Sequence, residues 1–248
     1  MRSPLLEASD ALDRAVRRAI LAQPPALAFA LSSYADAEGS GEGEVFTRAL
    51  RRVTEPRLQA MICKHQEDEL RHAALFDARR EALGLAAHAI PDHLKIIDLL
   101  SDAAGGVLDA AMDTDEDVAR VYLLLYVVEE RALDEFGRSA RAFAAAGDFE
   151  TAALFAAVAR DEERHVQYCE AVGRRHLADP STWAARLDAM RAVERRVYAG
   201  QTRAWTWHLL RSGLLRLPRG LDRLVRGVLD LSAWLDLPAP APVSFSGA

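Results

Sequence analysis

The five-residue pattern Asp-Glu-x-Arg-His occurs twice in this chain, and it constrains the fold more than any other feature. The copies span residues 68–72 and 161–165. Residues three apart lie on one face of an α-helix, about one turn from each other. The glutamate and the histidine of each copy would therefore reach the same metal ion. The duplication predicts two helices that present matching Glu-x-x-His pairs to one site. The alternative interpretation is a pair of solvated ion-pair patches on helix surfaces.

Almost every segment has the character of a helix. Ala, Leu, Arg and Glu dominate, apolar residues recur every three or four positions, and strand-like alternation is missing. We therefore predict an all-α fold. The four long helices are predicted at 26–53, 56–83, 115–146 and 149–178. Tight turns join the helices of each pair, and a connection over 84–114 joins the pairs, which predicts an antiparallel four-helix bundle with one long crossover.

Further helices flank this predicted bundle. A first helix is expected at 4–22, and two more at 182–213 and 219–235. We predict three parts: the bundle with the N-terminal helix, a helical extension packed on it, and a Pro/Ala-rich tail, at 1–180, 181–236 and 237–248. The extension is basic and rich in Leu and Trp. It is interpreted either as a docking surface for a membrane or an acyl carrier, or as packed helices with a solvated arginine face.

A di-metal site in such a bundle also needs one carboxylate from each of the other two helices. Glu42 and Glu69 lie at nearly equal distances from Pro56, on either side of the turn. Glu42 is therefore the predicted ligand of the first helix. Glu38, one turn earlier on the same face, is the reserve candidate.

The third long helix offers two adjacent glutamates. Glu129 has apolar neighbours at the positions that share its helix face, whereas Glu130 shares its face with Asp134 and Gly137. A carboxylate on an inward face is costly to bury without a partner, and a metal cation would supply one. Glu129 is the predicted ligand, and Glu130 is held in reserve.

The predicted ligand set contains four carboxylates and two imidazoles: Glu42, Glu69, His72, Glu129, Glu162 and His165. Such a set suits two iron ions, with manganese as the alternative metal. We predict no metal role for the other histidines, because none has a carboxylate three positions earlier; they are His65, His88, His93, His176 and His208.

These motifs resemble the ferritin-like di-iron carboxylate superfamily over residues 26–178. This superfamily includes rubrerythrins, ribonucleotide reductase small subunits, acyl desaturases and aldehyde-deformylating oxygenases. The short motifs are most similar to the aldehyde-deformylating oxygenases and to rubrerythrin-type bundles. They are Glu42 with Phe46, Glu69-x-x-His72 with Phe76, and Asp161-Glu162-x-x-His165-x-x-Tyr168-x-Glu170.

The resemblance implies a role for each matching residue. Glu69 and Glu162 would bridge or chelate the ions, Glu42 and Glu129 would be terminal ligands, and His72 and His165 would each bind one iron. The remaining pair, Asp68 and Asp161, would accept a hydrogen bond from the histidine of the opposite motif, as outer partners of metal-bound histidines do.

The resemblance also implies an enzyme: an O2-activating oxidoreductase that acts on a small apolar organic substrate. The chain has no nicotinamide or flavin fingerprint, so an external electron donor is expected. The alternatives are a ferroxidase or peroxide-scavenging rubrerythrin-like protein, and a metal-free helical interaction scaffold. Tyr168 is a candidate to relay an electron or a proton, and otherwise a core tyrosine.

Composition and charge set the remaining expectations. The formal net charge of -6 disfavours nucleic-acid binding. No signal peptide and no transmembrane segment is evident, and two cysteines suit a reducing compartment. We therefore expect a cytoplasmic protein, with peripheral membrane contact limited to the C-terminal helices. A homodimer is expected by analogy with the superfamily.

Overall fold

A computed structural model describes residues 4–39 and 42–235, with side chains described for 11–39 and 44–231. Within these residues every regular element is a helix, which confirms the all-α prediction. Two short 3₁₀ turns occupy Asp92–Leu94 and Pro180–Thr182. The α-helices are α1 (Pro4–Leu21), α2 (Pro24–Gly39), α3 (Glu42–Arg52), α4 (Pro56–Ala82), α5 (Ile96–Ala103), α6 (Asp115–Ala145), α7 (Phe149–His176), α8 (Trp183–Arg211) and α9 (Arg219–Leu235).

Local signals explain most of the helix boundaries. Thr114 caps α6 in a reciprocal pair of hydrogen bonds with Asp117, and the Asp148 carboxylate accepts a hydrogen bond from the backbone N–H of Thr151 at the start of α7. The chain reverses after α4 and α6 at Gly84 and Gly147, whose φ angles of 68° and 84° suit glycine. These signals were readable in the sequence, so the predicted ends agree with the structure to within a few residues.

The helix predicted at 26–53 is described in two parts, α2 and α3, and the two positions between them, 40–41, lie outside the described residues. The side chain of the predicted ligand Glu42 lies outside the described residues. The predicted tail at 237–248 also lies outside them.

Helix packing buries apolar side chains in separate clusters. α6 packs along α7, both α2 and α3 pack on α4, and α4 packs on α7. α8 packs on α5 and α6, and α1 packs on α2 and α6. One apolar cluster joins helices from both halves of the chain and includes Phe46, Ile62, Leu124, Cys169 and Met190. A second cluster gathers aromatic rings, among them Phe76, Phe136 and Phe155.

The C-terminal helices differ in how far they are buried. Trp183, Leu187 and Met190 of α8 are buried in the first apolar cluster, whereas Leu224 and Val228 of α9 are exposed. None of the described helices combines the length and the apolar character that a membrane crossing requires. Docking of the C-terminal helices on a membrane or an acyl carrier stays a prediction.

Candidate metal centre

Seven ionisable side chains from four helices meet in the interior, each no more than 9% exposed. α2 supplies one of them, α4 three, α6 one and α7 two. Burial of so many ionisable groups in one place is costly unless they neutralise one another or bind cations. The seven residues are Glu38, His65, Glu69, His72, Glu129, Glu162 and His165.

The cluster lies between the two apolar clusters. On α4 the three polar positions fall between Ile62, in the first cluster, and Phe76, in the second. On α7 they fall between Phe155, in the second cluster, and Cys169, in the first. On both helices the polar positions of the cluster are therefore flanked by apolar residues of the two clusters.

The seven residues form two overlapping groups, each able to hold one ion. In each group the four ligand atoms lie within 4.8 Å of one another. One group is Glu38, Glu69, His72 and Glu162, and the other is His65, Glu69, Glu129 and His165. Because Glu69 belongs to both groups, its carboxylate is placed to bridge two ions.

Each histidine directs one ring nitrogen at the carboxylates. His72 Nδ1 lies 3.0 Å from Glu38 Oε2 and 3.2 Å from Glu162 Oε1. His165 Nδ1 lies 2.8 Å from Glu162 Oε2. His65 Nε2 lies 3.1 Å from Glu69 Oε1 and 3.2 Å from Glu129 Oε1. The three inward nitrogens and the four carboxylates would therefore converge on the same ions.

The other nitrogen of His72 and of His165 faces an aspartate of the opposite motif. His72 Nε2 lies 3.2 Å from Asp161 Oδ2, and His165 Nε2 lies 3.5 Å from Asp68 Oδ2. This is the crossed arrangement that the resemblance implied for these two aspartates. An outer carboxylate that accepts the N–H fixes the tautomer and leaves the inward nitrogen free to bind a metal.

The two aspartates are held by cations at the surface. Arg71 donates to Asp68 and to Asp161, at 2.6 Å and 2.5 Å. Although burial opposes the shift, hydrogen bonds from Arg71 and Lys64 lower the pKa of Asp68 well below its usual value. Hydrogen bonds also lower the pKa of Asp161, again against burial. Both aspartates are therefore ionised at neutral pH and can only accept hydrogen bonds.

The pKa values of the inner carboxylates shift in the opposite direction, upward. Burial raises the pKa of Glu38, Glu129 and Glu162. Burial also lowers the pKa of His165, to about 4, and the nearby His65 adds to the shift. For His72, burial alone would lower the pKa, but the hydrogen bonds that its ring donates to Glu162 and Glu38 raise it to about 10. Without a metal the cluster must therefore retain protons to stay buried.

Two divalent ions fit this cluster. Four carboxylates would carry four negative charges, which two such ions neutralise. Carboxylate oxygens with imidazole nitrogens suit iron or manganese, and no thiolate lies among the seven residues. The donor set and its charge therefore match a pair of first-row divalent ions.

The structure brings together some of the predicted residues and separates others. Glu129 is 3% exposed and lies in the cluster, whereas Glu130 forms an ion pair with Arg191 at 2.5 Å. On α2 the reserve candidate Glu38 lies in the cluster. The ligand role of Glu42 stays a prediction, because its side chain lies outside the described residues.

His65 is the member of the cluster that sequence reasoning missed. It lies four positions before Glu69, so both side chains share a face of α4. The prediction considered only the Glu-x-x-His order and therefore overlooked a histidine that precedes the glutamate. The pattern His-x-x-x-Glu-x-x-His over 65–72 was the available signal.

Tyr168 lies beside this third histidine. Its side chain is 2% exposed, and its hydroxyl makes a hydrogen bond with His65 Nδ1. If His65 Nε2 binds a metal, Nδ1 must carry the proton and donate it to the Tyr168 oxygen. Tyr168 would then orient His65, as the two aspartates orient the other histidines.

We expect Tyr168→Phe to weaken metal binding at the His65 side of the cluster by about 10–100-fold, because outer partners of metal-bound histidines contribute that much. Calorimetric titration with Mn(II) would show one weakened site and one unchanged site. Tyr126→Phe on α6 is the control, because Tyr126 packs on Trp183 away from the cluster. Equal affinities in Tyr168→Phe and the wild type would contradict the orienting role.

Comparisons with protein-family models, curated proteins and solved structures gave no significant match for this chain. The candidate centre therefore rests on its own geometry. That geometry consists of two overlapping ligand groups, one shared carboxylate and three histidines with fixed outer partners.

Proposed function

We propose that this chain is an O2-activating di-iron oxidoreductase with a ferritin-like bundle. In this proposal α2 with α3, α4, α6 and α7 are the four bundle members, and residues 84–114 form the crossover. The packing of α2 on α4, of α4 on α7 and of α6 on α7 supports this architecture. The observation that carries the proposal is that Glu69 belongs to both ligand groups.

The two ions would have different ligands. Glu38 and His72 would bind one ion, and Glu129, His65 and His165 would bind the other. Glu69 would bridge them, and Glu162 lies near both His72 and His165. When bound, two reduced iron ions supply the capacity to bind O2 and to oxidise a substrate, with electrons from an external donor.

The residues around the ions would set the conditions for that chemistry. Apolar side chains on both sides of the cluster exclude water, which strengthens every electrostatic interaction inside it. Asp68, Asp161 and Tyr168 hold the three imidazoles in one orientation. The positions of the ligands are therefore set before any metal or substrate arrives.

Two observations favour this function over the alternatives. A cavity opens onto Glu38, Glu69 and Glu129, which favours an organic substrate over a ferroxidase or a peroxide scavenger. Seven buried ionisable groups are costly for a metal-free scaffold, since well-packed apolar residues serve that purpose better. The external electron donor and the homodimer stay predictions.

The proposal is tested by anaerobic titration with Fe(II), followed by exposure to O2. We expect saturation at about two iron ions per chain, and O2 uptake that stops when the bound iron is oxidised unless a reductant is present. Continued oxidation of added Fe(II) into a mineral would instead indicate a ferroxidase. Failure to bind iron would contradict the proposal and favour a metal-free interaction scaffold.

Metal binding is expected to strengthen as the pH rises from 6 to 8, by about tenfold or more. The raised pKa values of Glu38, Glu129 and Glu162 and the pKa of about 10 for His72 mean that binding must displace protons. His165, with a pKa of about 4, is already neutral and releases none. Mn(II) titrations in buffers of different ionisation enthalpy would measure both the affinity and the protons released. A pH-independent affinity would contradict the expectation.

A further inference from the structure

A cavity of about 310 Å³ adjoins the candidate metal centre. Three carboxylates of the centre line one end of it, namely Glu38, Glu69 and Glu129. α1, α2, α5, α6 and α8 form the remaining walls. Its volume is near the lower limit of the roughly 300–1,000 Å³ that is usual for small-molecule sites.

The cavity is long and mainly apolar. Its lining extends along α6 from Val128 to Phe143, which corresponds to about 22 Å at 1.5 Å per residue. Apolar side chains dominate the walls, among them Leu31, Ile97, Leu100, Val128 and Phe136. A small volume spread over this length suits a slender molecule better than a compact one.

The arginines that line the cavity are all engaged by acidic side chains. Arg17 donates to both carboxylate oxygens of Glu135, at 2.7 Å and 3.2 Å. Arg131 binds Glu194 in the same two-pronged way, at 2.6 Å and 3.0 Å.

Arg138, the third lining arginine, donates to both oxygens of Asp134. Among the described lining residues, therefore, no arginine is left to hold an anionic ligand. Asp13, the remaining acid outside the metal cluster, lies 3.8 Å from Arg17.

We propose that this cavity binds the substrate of the centre, and that the substrate is uncharged, apolar and slender. This inference rests on the proposed function. An anion along the cavity would lose its water without gaining a cationic partner from the lining. An uncharged chain or ring would instead exchange water for the apolar walls and reach the ions with one end.

The test compares octan-1-ol with octanoate, which match in length and differ in charge. Both are titrated calorimetrically into the full-length chain after removal of metal, so that octanoate cannot bind an ion. We expect octan-1-ol to bind at least about tenfold more tightly than octanoate. Octanoate that binds as tightly as the alcohol would overturn the inference, even without any variant.

Substitutions locate the binding. Ala132, one turn after Glu129 on α6, lines the cavity, whereas Ala145 on the same helix is exposed and does not. Ala132→Phe should weaken octan-1-ol binding by about tenfold or more, because the ring would occupy the cavity. Ala132→Leu serves as a milder filling variant if the larger one unfolds, and Ala145→Phe should leave binding within about twofold. Undiminished binding in a folded Ala132 variant would overturn the inference.

The two proposals can fail separately. Binding of octan-1-ol without any binding of iron would contradict the di-iron function and still support the cavity as a binding site. A chain that takes up two iron ions but binds neither probe would support the centre and overturn the substrate site.

Discussion

Glu69→Ala is expected to abolish binding of both iron ions, reducing the metal content from about two per chain to near zero. Glu69 belongs to both ligand groups, so its loss removes one ligand from each ion and the bridge between them. Glu162→Ala is expected to have a similar effect, because its two oxygens lie near His72 and His165. Metal analysis after anaerobic loading and desalting would measure both.

The matched controls are Glu67→Ala and Glu163→Ala, which alter exposed glutamates on the same two helices, close to the two ligands. These variants should retain the wild-type metal content. The melting temperature of the metal-free variants is an independent check that they remain folded, because removal of one partner from a buried charged cluster is destabilising. A Glu69→Ala protein that still holds two tightly bound ions would contradict the shared-ligand arrangement.

Gly173→Ala is expected to destabilise the fold by about 1–3 kcal/mol. A Cβ atom at position 173 on α7 would lie 2.3 Å from Cζ3 and 2.7 Å from Cη2 of Trp183. The indole ring cannot easily retreat, because Trp183 is 2% exposed and packs against Tyr126. Alanine normally stabilises a helix interior by up to about 1 kcal/mol relative to glycine, so a loss of stability would have to come from the clash.

Gly200→Ala in α8 is the comparison. The nearest neighbour of a Cβ there is the guanidinium of Arg203, at 3.7 Å, which is ordinary contact. This variant should be stabilised by a few tenths to about 1 kcal/mol. Urea unfolding of both variants gives the two free energies, and equal effects of the two substitutions would refute the close contact at Trp183.

Most of the helices were predictable because their signals are local. The periodicity of apolar residues, the cap at Thr114 and the turn glycines at 84 and 147 act within a few residues of the boundary that they determine.

The candidate centre was predictable in part. The two Glu-x-x-His pairs lie within single helices, so their spacing was enough to place each pair on one face. The preference for Glu129 over Glu130 followed from the apolar face of α6. Glu38 and His65 were harder to find, because their place in the cluster depends on how α2 and α4 pack against α6 and α7.

The sequence by itself determined the all-helical class, the approximate helix boundaries and the paired Glu-x-x-His positions, since each depends on residues close together in the chain. Only the tertiary structure decided that a third histidine joins the cluster, that one carboxylate is shared by two ligand groups, and that a cavity with paired arginines opens onto it. Those features depend on contacts between residues as far apart as Arg17 and Glu135. The rotation and offset of each packed helix, which local periodicity does not specify, determine such contacts.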